Sequence, residues 1–128
     1  RRRRVEIIDR YRHALSPVTE IQLPTDQPDS ESAWHLFPIR LHLDQLNIDR
    51  AQFIDELANR NIGASVHFIP LHVHPFYRDK YGFEPEQFPV AWAEYQRLVT
   101  IPLHPRLADA DVDDVIEAIT DNVATHRR

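Results

Sequence analysis

Ten prolines punctuate this chain of 128 residues, and their positions constrain its fold more than any other feature. Proline fixes its own backbone torsion, has no N–H to donate, and steers the residue before it away from helical geometry. The longer regular elements must therefore fit between prolines. At the start, Val5, Ile8, Tyr11, Arg12 and Leu15 recur at spacings of three and four, which predicts a helix. Ser16-Pro17 ends it. Residues 17 to 32 hold Pro17, Pro24 and Pro28 among Thr, Asp, Ser and Gln, the composition of an extended surface connector.

From Ala33 to Leu41 the pattern alternates, with Ala33, His35, Phe37, Ile39 and Leu41 on one side of a predicted strand. Pro38 cannot donate to a ladder, so this strand should lie at an edge or leave that position unpaired. Asp49 opens a helix, with Gln52 as its capping-box partner and Phe53, Ile54, Leu57 and Ala58 as its buried stripe. Asn61 should end that helix in left-handed geometry, folding Ile62 back onto Leu57. A strand is expected from Ala64 to about Ile69, stopped by Pro70, then a short helix from Phe76 to Tyr81 closed by Gly82. Pro89 suits the first position of a helix running to about Leu98, and Val99 to Ile101 reads as a brief strand before Pro102. The last helix begins at Asp109 or Asp111, acid-first as its dipole favours, with Val112, Val115, Ile116, Ile119 and Val123 as its apolar stripe. The expected class is α+β: a small antiparallel or mixed sheet of about three strands with helices packed on it.

A chain of this length makes one domain and can bury roughly two-thirds of its unfolded surface. No apolar run approaches the ~18 residues of a membrane span, and no charged-then-apolar leader opens the chain, so no membrane partner is expected. The absence of cysteine excludes disulfides, thiolate nucleophiles and cysteine-based metal sites, and fits a cytoplasmic protein. No methionine stands at position 1, so the chain is expected to begin inside a longer gene product. The net charge of −5 is uneven, because six arginines against Glu6 and Asp9 make residues 1 to 12 basic and leave an acidic remainder. Those arginines fit the wet face of the first helix, and the acidic body would repel phosphates, so nucleic acid is not an expected partner.

Chemistry has few places to reside. His67, His72 and His74 fall close together among eight histidines, a grouping that can bind zinc or exchange protons near neutral pH. Pro75 interrupts the group, no H-E-x-x-H motif occurs, and no metal site is expected. A nucleophile elbow and a phosphate-cradling glycine loop are also missing, Gly63 and Gly82 being the only glycines. The run Asp109, Asp111, Asp113, Asp114 lacks the glycine and closing glutamate of a calcium loop. It reads as a helix start.

Four segments carry more. S-A-W-H-L-F-P-I-R-L (Ser32 to Leu41), N-I-G-A-S-V-H-F-I-P-L-H-V-H-P-F-Y (Asn61 to Tyr77), I-P-L-H-P (Ile101 to Pro105) and D-V-D-D-V-I-E-A-I (Asp111 to Ile119) occur in that order. Together they resemble the C-terminal part of the DegT/StrS family of pyridoxal-phosphate-dependent sugar aminotransferases. The match extends to R-R-x-x-x-I-x-x-x-Y at the start, which looks like the end of that family's interdomain helix. Asn61 stands where the family often has glycine, Trp92 where an acidic residue is common, and Ala108 where threonine is common. None of these touches the chemistry.

The resemblance implies the small C-terminal domain of the fold-type-I aminotransferase fold. Residues 1–30 would be the interdomain helix and its Pro-rich connector, and residues 31–128 the small domain. The Schiff-base lysine and the phosphate-binding residues would lie upstream, so no catalytic residue and no bound cofactor are expected within these 128 residues. Lys80, the only lysine, sits in a polar turn beside Asp79 and does not suit a Schiff base. In the full-length enzyme, pyridoxal phosphate would serve transfer of an amino group from glutamate to a nucleotide-linked keto sugar. Such sugars serve surface polysaccharides, lipopolysaccharide among them, or natural products, and the enzyme would be a cytoplasmic homodimer. His67, His72 and Tyr77 are the substrate-binding residues implied; for His67 the competing reading is a satisfied structural histidine. A stand-alone binding module that retains only the small domain is the alternative function.

Overall fold

A computed structural model describes all 128 residues. Its elements, in order, are α1 (Arg2–Leu15), β1 (Ile21–Gln22), β2 (Phe37–Leu41), α2 (Arg50–Asn59), α3 (Pro75–Tyr81), α4 (Pro89–Arg97), β3 (Leu98–Ile101) and α5 (Asp109–His126). The three strands form one antiparallel sheet in the order β1-β2-β3, so the expected α+β class holds.

The sheet is not assembled quite as the alternation predicts. β2 begins at Phe37 rather than Ala33, because Trp34 adopts left-handed geometry (φ 48°) with its N–H on the Ser32 hydroxyl at 3.1 Å. That bend breaks the extended run, and Ala33 and His35 are exposed. From Phe37 onward the alternation is obeyed: Phe37, Ile39 and Leu41 are fully buried. β2 lies in the middle of the sheet, and Pro38 is nevertheless tolerated. Its partner Thr100 spends both backbone groups on Ser65 (3.0 and 2.7 Å), so Pro38 and Thr100 form a non-hydrogen-bonded pair. The proline nitrogen then faces the opposite side, where the two-residue β1 has already ended at the Gln22–Arg40 pair.

The strand expected from Ala64 to Ile69 does not form. Ser65 alone bridges to Thr100. Beyond it the chain leaves the sheet, and the Ile69 carbonyl accepts from His74 Nε2 at 3.3 Å instead of from a strand. The third strand is β1, drawn from the Pro-rich connector.

The helix signals are obeyed more closely. Asp49 and Gln52 form the reciprocal capping box of α2, at 2.9 and 3.1 Å. Asn61 takes φ 60°, and the N–H groups of Asn61 and Ile62 return to the carbonyls of Ala58 and Leu57 at 2.9 Å each, the Schellman pattern. Ala58, placed in the stripe by periodicity, is exposed. Gly82 closes α3 at φ 66°, a conformation that disfavours any side chain with a Cβ. The Asp111 carboxylate accepts the Ala108 N–H at 2.7 Å at the start of α5.

A single core of 19 residues lies between the sheet and helices α1, α2 and α5. On α1 it takes Ile7, Ile8, Tyr11 and Leu15. The stripe of α1 closes within the chain, against α5 and the sheet. The Tyr11 hydroxyl donates to the Pro102 carbonyl at 2.8 Å, and burial pushes the phenol above its ordinary value. The arginines of α1 are not merely solvated. Arg3 and Arg10 reach Asp109 at 2.7 and 2.8 Å, and Arg10 also reaches Asp113 at 2.5 Å, so the basic face of α1 meets the acidic start of α5. At the other end, Arg127 pairs with the buried Glu20, and the hydrogen bond from its guanidinium holds that carboxyl below the ordinary glutamate value.

Candidate functional site

Residues 64 to 97 form a layer of different construction. Only one side chain in it is buried, that of His72 at 6% exposure. Helices α3 and α4 contribute none. The layer is held to the sheet by polar contacts: Glu94 on α4 takes Arg40 of β2 at 2.5 Å and Arg97 at 2.5 and 2.9 Å. Burial raises the Glu94 carboxyl, and the hydrogen bonds from Arg97 and Arg40 outweigh it, leaving the group below its ordinary value. Arg50 adds a 2.5 Å hydrogen bond to the Tyr95 carbonyl while its guanidinium lies 4.4 Å from the centre of the Tyr95 ring.

This layer carries every residue that the resemblance marks. The His67 ring is half-buried, with Nδ1 3.3 Å from the Ser65 hydroxyl and its plane edge-on to Phe68 at 4.7 Å. The Ser65 bridge to β3 therefore anchors it through a two-residue lever. Tyr77, on the first turn of α3, stays open to water and packs edge-on against Phe76 at 5.2 Å. His72 is buried within the layer, where Nε2 meets the Pro85 carbonyl at 3.0 Å and the ring centre lies 4.6 Å from that of Phe88. No hydrogen bond joins the three. Tyr77 is exposed, His67 half-buried and His72 buried.

Sequence reasoning missed what surrounds them. All eight of the large apolar side chains left exposed lie between Phe68 and Val90, the most open being Phe68 at 73% and Val90 at 77%. The signal was present as a run of aromatic residues that obeys neither the helical nor the strand period of a core face. The surface is open, and no closed chamber is built on it.

Pyridoxal phosphate does not fit the residues present. Lys80 is exposed on α3 with its ammonium 5.4 Å from the rings of Phe76 and Tyr81, whereas a Schiff-base lysine is desolvated or set beside another cation. No group of three or more His, Asp or Glu side chains is placed to hold a metal ion.

The profile of the DegT/DnrJ/EryC1/StrS aminotransferase family matches residues 1–120. The chain belongs to that family. SpsC, a spore coat polysaccharide biosynthesis protein of Bacillus subtilis, is 40% identical over 123 residues, covering 95% of this chain and 32% of SpsC. MJ1066 of Methanocaldococcus jannaschii is 42% identical over 127 residues, covering 99% of this chain and 33% of its own. Among solved structures, Spr1654 of Streptococcus pneumoniae, described as a sugar aminotransferase, superposes with a TM-score of 0.86 at 31% identity. That alignment covers 97% of this chain and 31% of Spr1654, which has also been solved in PLP and PMP forms. This family member thus spans about a third of the length of the relatives it matches. No helix in it is long and apolar enough to cross a membrane.

Proposed function

We propose that this chain is the small domain of a pyridoxal-phosphate-dependent sugar aminotransferase, and that the open surface of residues 64–97 is its substrate side. The observation that carries the reading is the concentration of exposed apolar side chains on that one layer, in a chain of an aminotransferase family. A surface of this kind calls for cover, and the relatives are about three times as long. The cofactor and its lysine belong to residues outside these 128, since Lys80 does not suit the role. Residues 1–30 are the interdomain helix and connector in this reading, and 31–128 the small domain.

The amino donor is glutamate and the acceptor a keto sugar linked to a nucleotide, destined for a surface polysaccharide, lipopolysaccharide included. The working enzyme is a cytoplasmic homodimer. His67 and Tyr77 present an imidazole and a phenol to the substrate, each able to donate or accept a hydrogen bond. His72 serves the same site from behind.

The test is His67→Ala in the intact protein, with both half-reactions and the melting temperature measured on the same preparation. Loss of one hydrogen bond to a charged substrate group costs about 1.5–3 kcal/mol, a roughly ten- to hundredfold fall in kcat/KM with cofactor binding unchanged. A lowered melting temperature with kcat/KM per folded enzyme near wild type assigns His67 to the structure and defeats the reading.

A further inference from the structure

We infer that His72 is a positioning residue: its buried imidazole orders the whole 64–97 layer and so sets where His67 and Tyr77 stand, without itself touching substrate. The consequence for catalysis rests on the function proposed above; the ordering role does not.

The argument begins with burial. Between Ile62 and Val99, His72 is the only buried residue, so no apolar side chain supplies this layer with a core. The ring takes that place with directed contacts. A carbonyl can only accept, so the 3.0 Å contact with Pro85 places the ring hydrogen on Nε2. The Pro85 carbonyl otherwise receives only the Phe88 N–H, at a long 3.4 Å. The imidazole and the Phe88 ring are tilted by 39° with their centres 4.6 Å apart; Phe88 meets Phe83 edge-on at 5.3 Å, and Phe83 stacks on Tyr81 at 5.5 Å.

Those rings come from three pieces of chain. His72 sits in the 3-10 turn Leu71–Val73, which runs into His74 and then α3, the helix of Tyr77. Tyr81 ends α3. Pro85 opens the 3-10 turn that leads into α4, and Phe88 follows it. One side chain therefore ties the entry of α3, its exit and the entry of α4 into a single body. A leucine would fill the space and leave the Pro85 carbonyl without its principal donor. Histidine does both, which is why a polar residue occupies the one buried position.

The test compares His72→Phe, which keeps a ring and deletes the donor, with His72→Gln, whose amide places an N–H near the reach of Nε2. Both are made in the intact protein and studied first without substrate, by amide hydrogen exchange. The Phe variant is expected to exchange roughly ten- to a hundredfold faster across residues 71–90, with little change in β2, β3 and α5. The Gln variant should recover most of the protection. In the active enzyme the Phe variant should raise KM for the amino acceptor more than it lowers kcat, and Gln should reverse that as well. Unchanged exchange in the ligand-free Phe variant, with KM still raised, means that His72 touches substrate and overturns the inference. So does a parallel loss of protection in β2 and α5, or failure of the Phe variant to fold, since either makes His72 part of the general core. If the protein has no aminotransferase activity, the exchange result still decides the ordering role, and only the proposed function falls.

Discussion

The two parts of this molecule are held together by different physics. The sheet with α1, α2 and α5 holds 17 of the 19 core residues, and the other two, Leu46 and Ile62, lie in the connections beside α2. The 64–97 layer, with more than thirty residues, holds one buried side chain and eight large exposed apolar ones. The first part is stabilised by burial, which is non-directional and cumulative. The second depends on aromatic edges, a few charged hydrogen bonds and one imidazole. Free energy of folding thus resides in one region, and the surface available to chemistry in the other. Such a division lets the exposed layer vary or move without unfolding the scaffold.

The largest expected effect tests the scaffold. Phe37 is fully buried at the start of the middle strand β2, with the rings of Tyr11 and Trp34 at 5.6 and 5.9 Å. Phe37→Ala should cost about 3–5 kcal/mol of stability in denaturant titration. A loss below about 1 kcal/mol would mean that the core is not concentrated there, and the contrast between the two regions fails.

Next comes Glu20, which ties the connector to the end of α5 through Arg127. Its carboxyl is held below the ordinary value in the folded state by that guanidinium. The stabilisation is therefore complete above the unfolded glutamate value and is lost as pH falls through the lower, folded one. Glu20→Gln should remove on the order of 1 kcal/mol at neutral pH, because Arg127 remains half exposed and water screens the pair. The gap in melting temperature between wild type and variant should close on acidification. A gap that persists at low pH would show that the side chain matters through packing alone.

The smallest effect sharpens the other side of the comparison. Val90 is the most exposed apolar residue of the layer. Val90→Ser should change the stability of this chain by no more than about 0.5 kcal/mol, read from the same titration. A cost near that of Phe37→Ala would reveal a second core where none is visible.

Much of this was legible in residue order, and the failures have particular causes. The capping box at Asp49, the Asn61 turn, the Gly82 closure and the α5 stripe are decided within a few residues, so local chemistry predicts them. The stripe of α1 was read from Val5, while the structure buries Ile7. Both are apolar, and only the position of α5 chooses between the two faces. The strand expected at Ala64–Ile69 has the right residues but loses its hydrogen bonds to Thr100 after Ser65, and His74 takes the Ile69 carbonyl. β1 was hidden because two residues of a Pro-rich connector carry no periodicity. At the candidate site, the sequence motif located His67, His72 and Tyr77 without saying which of them faces inward.

What the sequence by itself determined is the set of local decisions: where helices start and stop, which turns need left-handed geometry, which stretches alternate, and which family the motifs resemble. All but the last depend on torsions and side chains within reach of four or five residues. Only the tertiary structure decided which strand stands in the middle, that Arg3 and Arg10 belong to the acidic start of α5, and that His72 is buried while His67 is half-buried and Tyr77 exposed. Those outcomes depend on groups far apart in sequence competing for the same hydrogen bonds and the same buried volume. Such a competition has no local signature, because its result is set by which distant partner arrives.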